Sequence, residues 1–384
     1  MTENEVQTIA NYFEDIEDPR SRRNQKHLLV DILTIGFCTI LAGGEGFNDM
    51  ELFGESKENW LRTFLQLPNG VPSHDTFRKV FSTLDPKKLE NYFMEWTKSI
   101  VEKIDTRQIA IDGKALRASG VKINHKSPTH LVSAWCTANG GLALGQVKTD
   151  AKSNEITAIP ELLQSLELKG AIVSIDAAGC QLAIAKKIVE QEGDYVLALK
   201  GNQKTIFNEV KEYFKAHVEN NDKERSELNF HDYFDDSHSR KVRRRTWAIH
   251  DISSIKSLSK WPGVKSIIAV ENIRQEHREA SVTVEFRFYL SSLQNPSGKE
   301  CDRLVRGHWT IENQLHWSLD VTFSEDASQI RNEISCQNIG LLRRMAISLL
   351  KQETSTKKSL RQKKLKCGFD ENYLLTVFAL LGKM

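Results

Sequence analysis

The hydrophobic pattern of the chain changes near residue 105. Before it, apolar positions follow helix-like spacing, most clearly over residues 28–44, where two glycines end the run. That run contains Asp31 and is shorter than the ~20 residues of a membrane-spanning helix, so we expect a buried core helix. Another helix is expected after Ser73, because serine is a favoured N-cap residue. The pattern predicts a helical domain over residues 1–100.

After residue 105, short apolar runs predict strands that alternate with helices. Asn139, Gly140 and Gly141 separate two such runs and are typical of a hairpin turn. In chain order, the pattern predicts a strand at 108–112, a hairpin at 130–137 and 142–148, a helix at 155–166, a strand at 171–175, a helix at 180–192, a strand at 195–199 and a helix at 203–220. This order indicates an α/β fold in which helices flank a mixed sheet.

The remaining chain divides into a strand-rich part and a helical part. Residues 225–292 contain polar, strand-like runs, and we expect them to form a β-rich insertion. From Ser297 the pattern is helical to the last residue, most strongly at 298–320 and 335–351. The predicted domains are a helical N-terminal domain (1–100), an α/β domain with the insertion (105–350) and a basic helical tail (351–384).

The composition is that of an ordinary globular protein. Lys and Arg number 53 and Asp and Glu 51 among 384 residues, so the formal net charge is +2. This value excludes a uniformly basic coat for nucleic acid but leaves room for local basic patches. The six cysteines are scattered without a Cys-x-x-Cys pair, which argues against a disulfide framework or a cysteine-bound zinc. The start of the chain is acidic and lacks the apolar stretch of a secretory leader, so we expect a cytoplasmic protein with no membrane segment.

Two aspartates directly follow apolar, strand-like runs. Asp112 ends the run IAID, and Asp176 ends the run VSID. In open α/β sheets, functional groups collect beyond the strand ends. Two carboxylates on neighbouring strands repel each other unless a cation lies between them, and hard oxygen ligands suit Mg²⁺ or Mn²⁺. The alternative is that each aspartate only forms a turn or caps a helix.

A third acidic residue of the candidate site is expected from the C-terminal helical segment. If this segment is one α-helix, His308, Glu312 and His316 recur every four residues on one face. Trp309 and Trp317 are expected to anchor the helix against the sheet. One alternative is an amphipathic helix with a polar stripe that faces solvent. Another is a zinc site made by the two histidines and the glutamate, although the His-Glu-x-x-His spacing is absent.

Three sequence blocks contain these groups, IAIDGKALR, VSIDAAGCQ and HWTIENQLHWSLDVTFSED, and a fourth block, YVLALKGNQ, follows the second along the chain. They resemble the DDE transposases of bacterial insertion sequences, in the branch that includes the H-repeat-associated proteins. Two earlier blocks, DPRSRRNQKHLLVDIL and VPSHDTFRKVF, resemble the helical domain that precedes the nuclease domain in that branch. The blocks occur in the family's order and cover nearly the whole chain. The resemblance is therefore far more specific than a single short motif.

The resemblance implies a ribonuclease-H-like core in which Asp112, Asp176 and Glu312 are the catalytic and metal-binding residues. It implies Mg²⁺ or Mn²⁺ as the cofactor, as a pair of ions. The reaction implied is phosphoryl transfer that cleaves DNA and transfers strands at the ends of an insertion sequence. The enzyme class implied is a transposase that acts without ATP.

The sequence departs from the family pattern around the glutamate. Many relatives carry Tyr, Arg and Lys at positions that hold Val305, His308 and Leu319 here, so those roles are not transferred to this chain. Three nearby acidic residues are rivals for the role of third carboxylate: Asp320, Glu325 and Asp326.

The resemblance also implies DNA partners, namely a duplex with terminal inverted repeats and a target duplex, bound by a homodimer or a larger assembly. Two basic stretches are expected to contact phosphates: Arg240, Lys241, Arg243, Arg244 and Arg245, and Lys357, Lys358, Arg361, Lys363 and Lys364. Eight residues are expected to border the site: Lys114, Lys200, Asn202, Gln203, Arg306, His308, Asn313 and His316. The alternatives are a solvated charged face for either basic stretch and, for the whole chain, a catalytically silent DNA-binding protein derived from a transposase.

Overall fold

A computed structural model describes residues 12–21, 23, 25–101, 107–120, 128–149, 155–219, 229–237, 240–276 and 282–382. The chain forms two compact units. We call the first the terminal unit, because it contains residues near both ends of the sequence. Its described residues lie within Met1–Asp105, Gly113–Ala151 and Ile311–Met384. The central unit has its described residues within Thr106–Asp112 and Lys152–Thr310.

The α-helices, numbered in chain order, are α1 (Leu29–Ala42), α2 (Phe47–Ser56), α3 (Glu58–Leu61), α4 (His74–Thr83), α5 (Pro86–Val101), α6 (Glu155–Ser165), α7 (Leu182–Glu190), α8 (Lys204–Phe214), α9 (Gly298–His308), α10 (Trp317–Val321), α11 (Glu333–Gln352), α12 (Leu360–Phe369) and α13 (Glu371–Phe378). The strands are β1 (Arg107–Leu116), β2 (Thr129–Cys136), β3 (Leu142–Lys148), β4 (Ala171–Ile175), β5 (Asp194–Leu199), β6 (Asn229–Ser237), β7 (Arg240–Ile249), β8 (Ser266–Glu276) and β9 (Val282–Ser291). Strand β1 passes from the central unit into the terminal unit at Gly113.

The described residues also form shorter helical segments. Two are π-helical turns: Lys215–Glu219 and Ile311–His316. The others are 3₁₀ turns: Arg117–Ser119, Gly201–Gln203, Lys256–Lys260, Glu325–Ala327 and Ala379–Gly382.

The central unit is built on a sheet of mixed direction. Its strand order is β1-β4-β5-β9-β8-β7-β6. Strands β1, β4 and β5 are parallel, and every later pair, from β5 with β9 to β7 with β6, is antiparallel. Because both faces of the parallel part are covered, β4 is an apolar run that is buried at every position. The predicted α/β fold class with a mixed sheet flanked by helices is confirmed.

The segment predicted as a β-rich insertion forms strands β6 to β9, which continue the sheet. Strand β9 pairs with β5 from Val196–Ser291 to Leu199–Phe288, so the two groups of strands share hydrogen bonds. Helix α9 packs on both groups through Cys301, Leu304 and Val305. Their core partners come from five strands: Ile172, Val196, Ala248, Ile268, Val270 and Tyr289. One hydrophobic core therefore serves the parallel and the antiparallel parts of the sheet.

Two buried helices form the core of the terminal unit. Helix α1 is buried over most of its length, as predicted, and the Asp31 carboxylate accepts a hydrogen bond from the Leu67 amide at 3.0 Å. Burial raises the pKa of Asp31 in spite of that bond. The Asn338 amide of the buried helix α11 donates to the carbonyls of Phe81 and Leu84 at 3.0 and 2.9 Å. These bonds tie α11 to the helices near the start of the chain.

Among the described residues, no single helix is long and apolar enough to cross a membrane. The bent pair of α1 and α2 passes the same test of length and composition when the two helices are taken together.

The turn between β2 and β3 is the predicted hairpin. Asn139, Gly140 and Gly141 have φ angles of +51°, +82° and +101°, a left-handed backbone that glycine adopts without steric cost. Gly141 also lies against the Trp135 ring, because a Cβ at this position would be 1.9 Å from the indole. The second glycine is therefore required both by the backbone of the turn and by the packing of Trp135.

We expect Gly141→Ala to destabilise the protein more than Gly140→Ala. Both substitutions place a Cβ on left-handed backbone, at a cost of roughly 1–2 kcal/mol. Only Gly141→Ala also forces the Trp135 ring to move, which adds about 1–3 kcal/mol of overpacking. Denaturant unfolding of the two variants measures the difference. Equal free energies of unfolding would contradict the constraint assigned to Trp135.

Candidate active site

Asp112 and Asp176 lie at adjacent positions on the sheet of the central unit. The parallel pairing of β1 with β4 ends at Ile111 and Ile175, and each aspartate is the next residue of its strand or loop. Paired strands are about 4.8 Å apart, so the two backbones are close at this point. Both aspartate side chains are half-buried. The register of one strand pair thus places the two aspartates that the sequence singles out at neighbouring backbone positions.

The two aspartates are held in different ways. The expectation that β1 ends at Asp112 is wrong, because β1 continues to Leu116 after its pairing with β4 has stopped. Asp176 lies in the loop after β4, where its Oδ1 atom accepts hydrogen bonds from the amides of Ala178 at 3.0 Å and Gly179 at 3.4 Å. This is the turn-forming role considered as an alternative. It engages Oδ1 and fixes the orientation of the carboxylate.

Another carboxylate of the central unit, Glu155, lies near Asp176. Burial, and then the charge of Asp176, raise the pKa of Glu155 above its ordinary value. Glu155 is the first residue of α6. Its position at the start of a predicted helix did not distinguish it in the sequence from any other first-turn glutamate. In the structure it adds to the negative charge beside Asp176.

The C-terminal end of α9 is fixed to the strands that carry the aspartates. The buried Gln108 amide of β1 donates to Ser174 Oγ at 3.0 Å and to the Leu304 carbonyl at 2.7 Å. His308 Nδ1 lies 3.3 Å from the same Ser174 oxygen. The helix can approach this closely because Gly307 lacks a side chain, and a Cβ there would be 2.1 Å from the Gln108 amide oxygen. The predicted border residue His308 is therefore held near the C-terminal end of β4.

Glu312 and His316 lie in the terminal unit, on the π-helical turn Ile311–His316. The segment is helical, as predicted, but it is not one regular α-helix, since the wider turn shifts the phase of the side chains after His308. The Glu312 side chain is 53% exposed, and its carboxylate is 3.7 Å from Nδ1 of the buried His316. Single π-helical turns occur frequently at functional sites.

The prediction that Trp309 and Trp317 anchor this segment is wrong. Their side chains are 44% and 57% exposed, while the buried positions are taken by smaller residues such as Leu304 and Leu315. The Trp309 ring lies beneath the Arg287 guanidinium, 5.3 Å from its centroid. An exposed indole next to a cation is a surface on which a nucleic-acid base can stack.

The three rival carboxylates are bound to cations within the terminal unit. Lys114 Nζ lies 2.6 Å from Asp320 and 2.9 Å from Asp326. Glu325 is fully buried and pairs with the equally buried Arg344 at 2.9 Å. Burial acts to lower the pKa of Lys114, but Glu325, Asp320 and Asp326 together hold it above its ordinary value. The rivals and the predicted border residue Lys114 therefore form one ion cluster inside this unit.

The arginines of β7 bind polar or acidic side chains on neighbouring strands, which the sequence did not reveal. Arg243 forms a salt bridge with Asp232 (2.6 Å), and Arg245 forms one with Glu271 (3.0 Å). Arg244 donates a hydrogen bond to the Asn272 side chain (2.9 Å). Lys241 is exposed, and the side chain of Arg240 lies outside the described residues. This stretch therefore presents less positive charge than its sequence indicates.

Two of the predicted DNA contacts near the end of the chain are buried. Lys363 donates to the carbonyls of Leu350 and Glu353, and Lys364 donates to the Thr322 carbonyl at 2.6 Å. These carbonyls lie at or just after helix ends, where the backbone lacks partners within the helix. We therefore correct the prediction: both lysines stabilise the terminal unit and are not accessible to DNA. Three other basic residues of this stretch are exposed: Lys357, Lys358 and Arg361.

Asn202 and Gln203 hold the loop that follows Asp176. The Asn202 amide donates to the Ala177 carbonyl at 2.5 Å, and the Gln203 amide donates to the Cys180 carbonyl at 2.9 Å. These bonds place the two residues next to the Asp176 loop. Three other predicted border residues are exposed: Lys200, Arg306 and Asn313.

Two family models match the chain. Residues 103–349 match "Transposase DDE domain", and residues 10–97 match "DDE_Tnp_1-associated". "Putative transposase YncI" of Escherichia coli O157:H7 is 38% identical over 380 residues, which are 97% of this chain and 95% of that protein. "H repeat-associated putative transposase YhhI" of Escherichia coli K12 is 36% identical over 384 residues, 98% of each chain. "Inactive transposase YbfQ" of the same strain is 33% identical over 78 residues, which are 20% of this chain and 93% of that protein.

The mixed sheet, with two aspartates at adjacent strand positions, defines an α/β protein of the ribonuclease-H-like class. The chain belongs to the DDE transposase family, as the sequence blocks predicted. DNA transposition is the activity of this family, and it requires DNA binding.

The buried Glu325 is expected to make stability depend on pH. Burial would raise its pKa, but Arg344, Arg343 and Lys114 outweigh burial and hold the pKa below the ordinary value of 4.5. The folded state therefore holds fewer protons than the unfolded state, and stability present above about pH 4.5 is lost as the pH falls through the folded pKa.

Glu325→Gln should lower stability at neutral pH, because Arg344 loses its buried partner. The same variant should lose less further stability than the wild type on acidification. Urea unfolding at a series of pH values measures both effects, with the exposed Glu190→Gln as the control. An acid limb as steep in Glu325→Gln as in the wild type would contradict this role of Glu325.

Proposed function

We propose that this chain is a transposase that cleaves DNA and transfers strands by metal-dependent phosphoryl transfer. The observation that carries the proposal is the register of β1 with β4, which sets Asp112 next to Asp176. Two half-buried carboxylates at such close positions repel each other unless a cation neutralises them. Carboxylate oxygens are also the ligands that Mg²⁺ and Mn²⁺ prefer. We therefore assign both aspartates as metal ligands.

Glu312 is the third ligand in this proposal. It follows His308 by four residues in the chain, and His308 contacts Ser174 near the end of β4. The neighbouring His316 ring, 3.7 Å from the Glu312 carboxylate, supports its orientation. The rival carboxylates are already engaged, since Lys114 binds Asp320 and Asp326 and Arg344 binds Glu325. Removing a rival from that cluster to serve a metal would leave buried cations without partners.

A pair of bound divalent ions would supply Lewis-acid activation of a water or a DNA 3′-hydroxyl and would stabilise charge on the leaving oxygen. The residues of the chain hold the reacting groups in place. The turn amides orient Asp176, the bond from the Gln108 amide to the Leu304 carbonyl fixes α9 on β1, and Asn202 holds the loop beside Asp176. A site fixed in this way needs little rearrangement as the reaction proceeds.

The proposed substrates are the duplex ends of an insertion sequence, with their terminal inverted repeats, and a target duplex. A homodimer or larger assembly would bring two ends together. Exposed groups suited to DNA include Trp309 beneath Arg287 in the central unit and three basic residues of the terminal unit: Lys357, Lys358 and Arg361. Phosphate contacts by such cations make binding depend strongly on salt.

We expect Asp112→Asn, Asp176→Asn and Glu312→Gln each to abolish nicking and joining in Mg²⁺ or Mn²⁺. Each change removes a ligand charge and keeps the size of the side chain, so binding of DNA should persist. The substrate is a plasmid that carries the two genomic flanks of this chain's own coding sequence. Gel analysis of nicked and joined products measures activity, and fluorescence anisotropy in EDTA measures binding.

Asp320→Asn and the exposed Glu190→Gln are the matched controls, and both should keep the activity. Wild-type activity in Asp112→Asn or Asp176→Asn would contradict the proposal. Activity that survives in Glu312→Gln but is lost in Asp320→Asn would transfer the third role to Asp320. Binding without cleavage by the wild type, in either ion, would favour a catalytically silent DNA-binding protein. Stoichiometric zinc in the purified protein would favour the zinc site.

A further inference from the structure

A cleft of about 670 Å³ lies along the outer side of α9, within the central unit. Three cations of α9 line it: Lys299, Arg303 and Arg306. They are spaced by four and three residues, so they form one stripe on the helix. The opposite side of the helix is the buried one, through Cys301 and Leu304. The cleft is thus the solvent face of a helix whose other face belongs to the core.

The acidic residues of the cleft do not cancel this stripe. Asp302 is buried and lies 3.9 Å from Arg244 and 3.8 Å from Arg306, so its charge is shared with cations on both sides. Glu300 is the other lining carboxylate, at the first turn of α9. The lining thus has three Lys or Arg side chains and two carboxylates. The guanidinium of Arg306 also lies over the Tyr233 ring, 4.9 Å from its centroid, which holds it at the cleft wall.

The cleft is built by close contact between α9 and the edge strand β6. Gly298 starts the helix, and its amide donates to the Asn229 side chain at 2.9 Å. A Cβ on Gly298 would be 2.8 Å from the backbone of Phe230 and of His231. Only glycine therefore allows the helix to begin this near to the strand. Helix α9 and strand β6 thus form two walls of the cleft, and their close contact fixes the distance between them.

The geometry points to this cleft as a binding site for the phosphate backbone of duplex DNA. The stripe from Lys299 to Arg306 covers about 10 Å along the helix axis, at 1.5 Å per residue. Phosphates of one DNA strand recur every ~3.4 Å along the duplex axis, so the stripe has the length of the axial rise of about three phosphates. The helix that carries the stripe ends at His308, which contacts the strand that leads to Asp176. The inference rests on the proposed function and adds the path along which DNA would reach the aspartates.

The test compares two triple variants of the full chain. Lys299→Gln/Arg303→Gln/Arg306→Gln removes the stripe. The control changes three exposed lysines elsewhere in the central unit to glutamine: Lys186, Lys211 and Lys215. Fluorescence anisotropy with a labelled linear duplex, in EDTA and over a range of NaCl, gives log K against log [NaCl]. Each lost phosphate contact flattens the slope by about 0.9, so the stripe variant should be flatter than the wild type by about 2–3.

The single variant Arg303→Gln guards against a folding effect, since it changes one exposed side chain and should flatten the slope by about 0.9. Wild-type slopes in both stripe variants, or an equal loss in the lysine control, would overturn the inference. A flattened slope with no cleavage by the wild type would remove the proposed function and leave the cleft as a DNA site. Cleavage by the wild type with an unchanged slope in the stripe variants would keep the proposed function and remove the cleft as a DNA site. A wild type that does not bind the duplex would contradict the proposed function and the inference about the cleft.

Discussion

The parallel pairing of β1 with β4 is the constraint on which the candidate site depends. It ends in register at Ile111 and Ile175, so the next two residues, Asp112 and Asp176, occupy neighbouring positions. A slip of one residue would turn every side chain of a strand to the other face of the sheet. The buried apolar side chains of both strands oppose such a slip, because it would expose them. Hydrophobic burial thus holds the two aspartates at neighbouring positions.

Polar groups in otherwise apolar strands extend this constraint to α9. Gln108 and Ser174 are buried within β1 and β4, and their hydrogen bonds fix the helix that ends at His308. A buried polar pair of this kind breaks the local apolar pattern, and such breaks are expected at functional sites. The same helix carries cations on its outer face, at Lys299 and Arg303. It therefore joins the proposed path of DNA to the strands that hold the aspartates.

The sequence predicted the parallel strands of the central unit because they are continuous apolar runs, and it predicted the hairpin of the terminal unit because the turn needs glycine. It missed features that depend on contacts distant in the chain. Trp309 and Trp317 were expected to anchor the helix against the sheet, yet both are exposed, while smaller residues such as Leu304 and Leu315 are buried. Lys363 and Lys364 were expected at the surface, because the carbonyls that bind them are identified only by the tertiary fold. The phase shift at the π-helical turn leaves no mark in the hydrophobic pattern. The two aspartates were found because a carboxylate that follows an apolar run is visible in sequence, whereas the stripe on α9 resembles any charged helix face.

The central claim is that Asp112 and Asp176 together bind a divalent cation. Isothermal titration of Mn²⁺ into the full chain bound to duplex DNA tests it most directly, with Mg²⁺ as the competitor. The account predicts saturable Mn²⁺ binding by the wild type that Mg²⁺ displaces, and loss of that binding in Asp112→Asn/Asp176→Asn. Wild-type stoichiometry and affinity for Mn²⁺ in the double variant would contradict it.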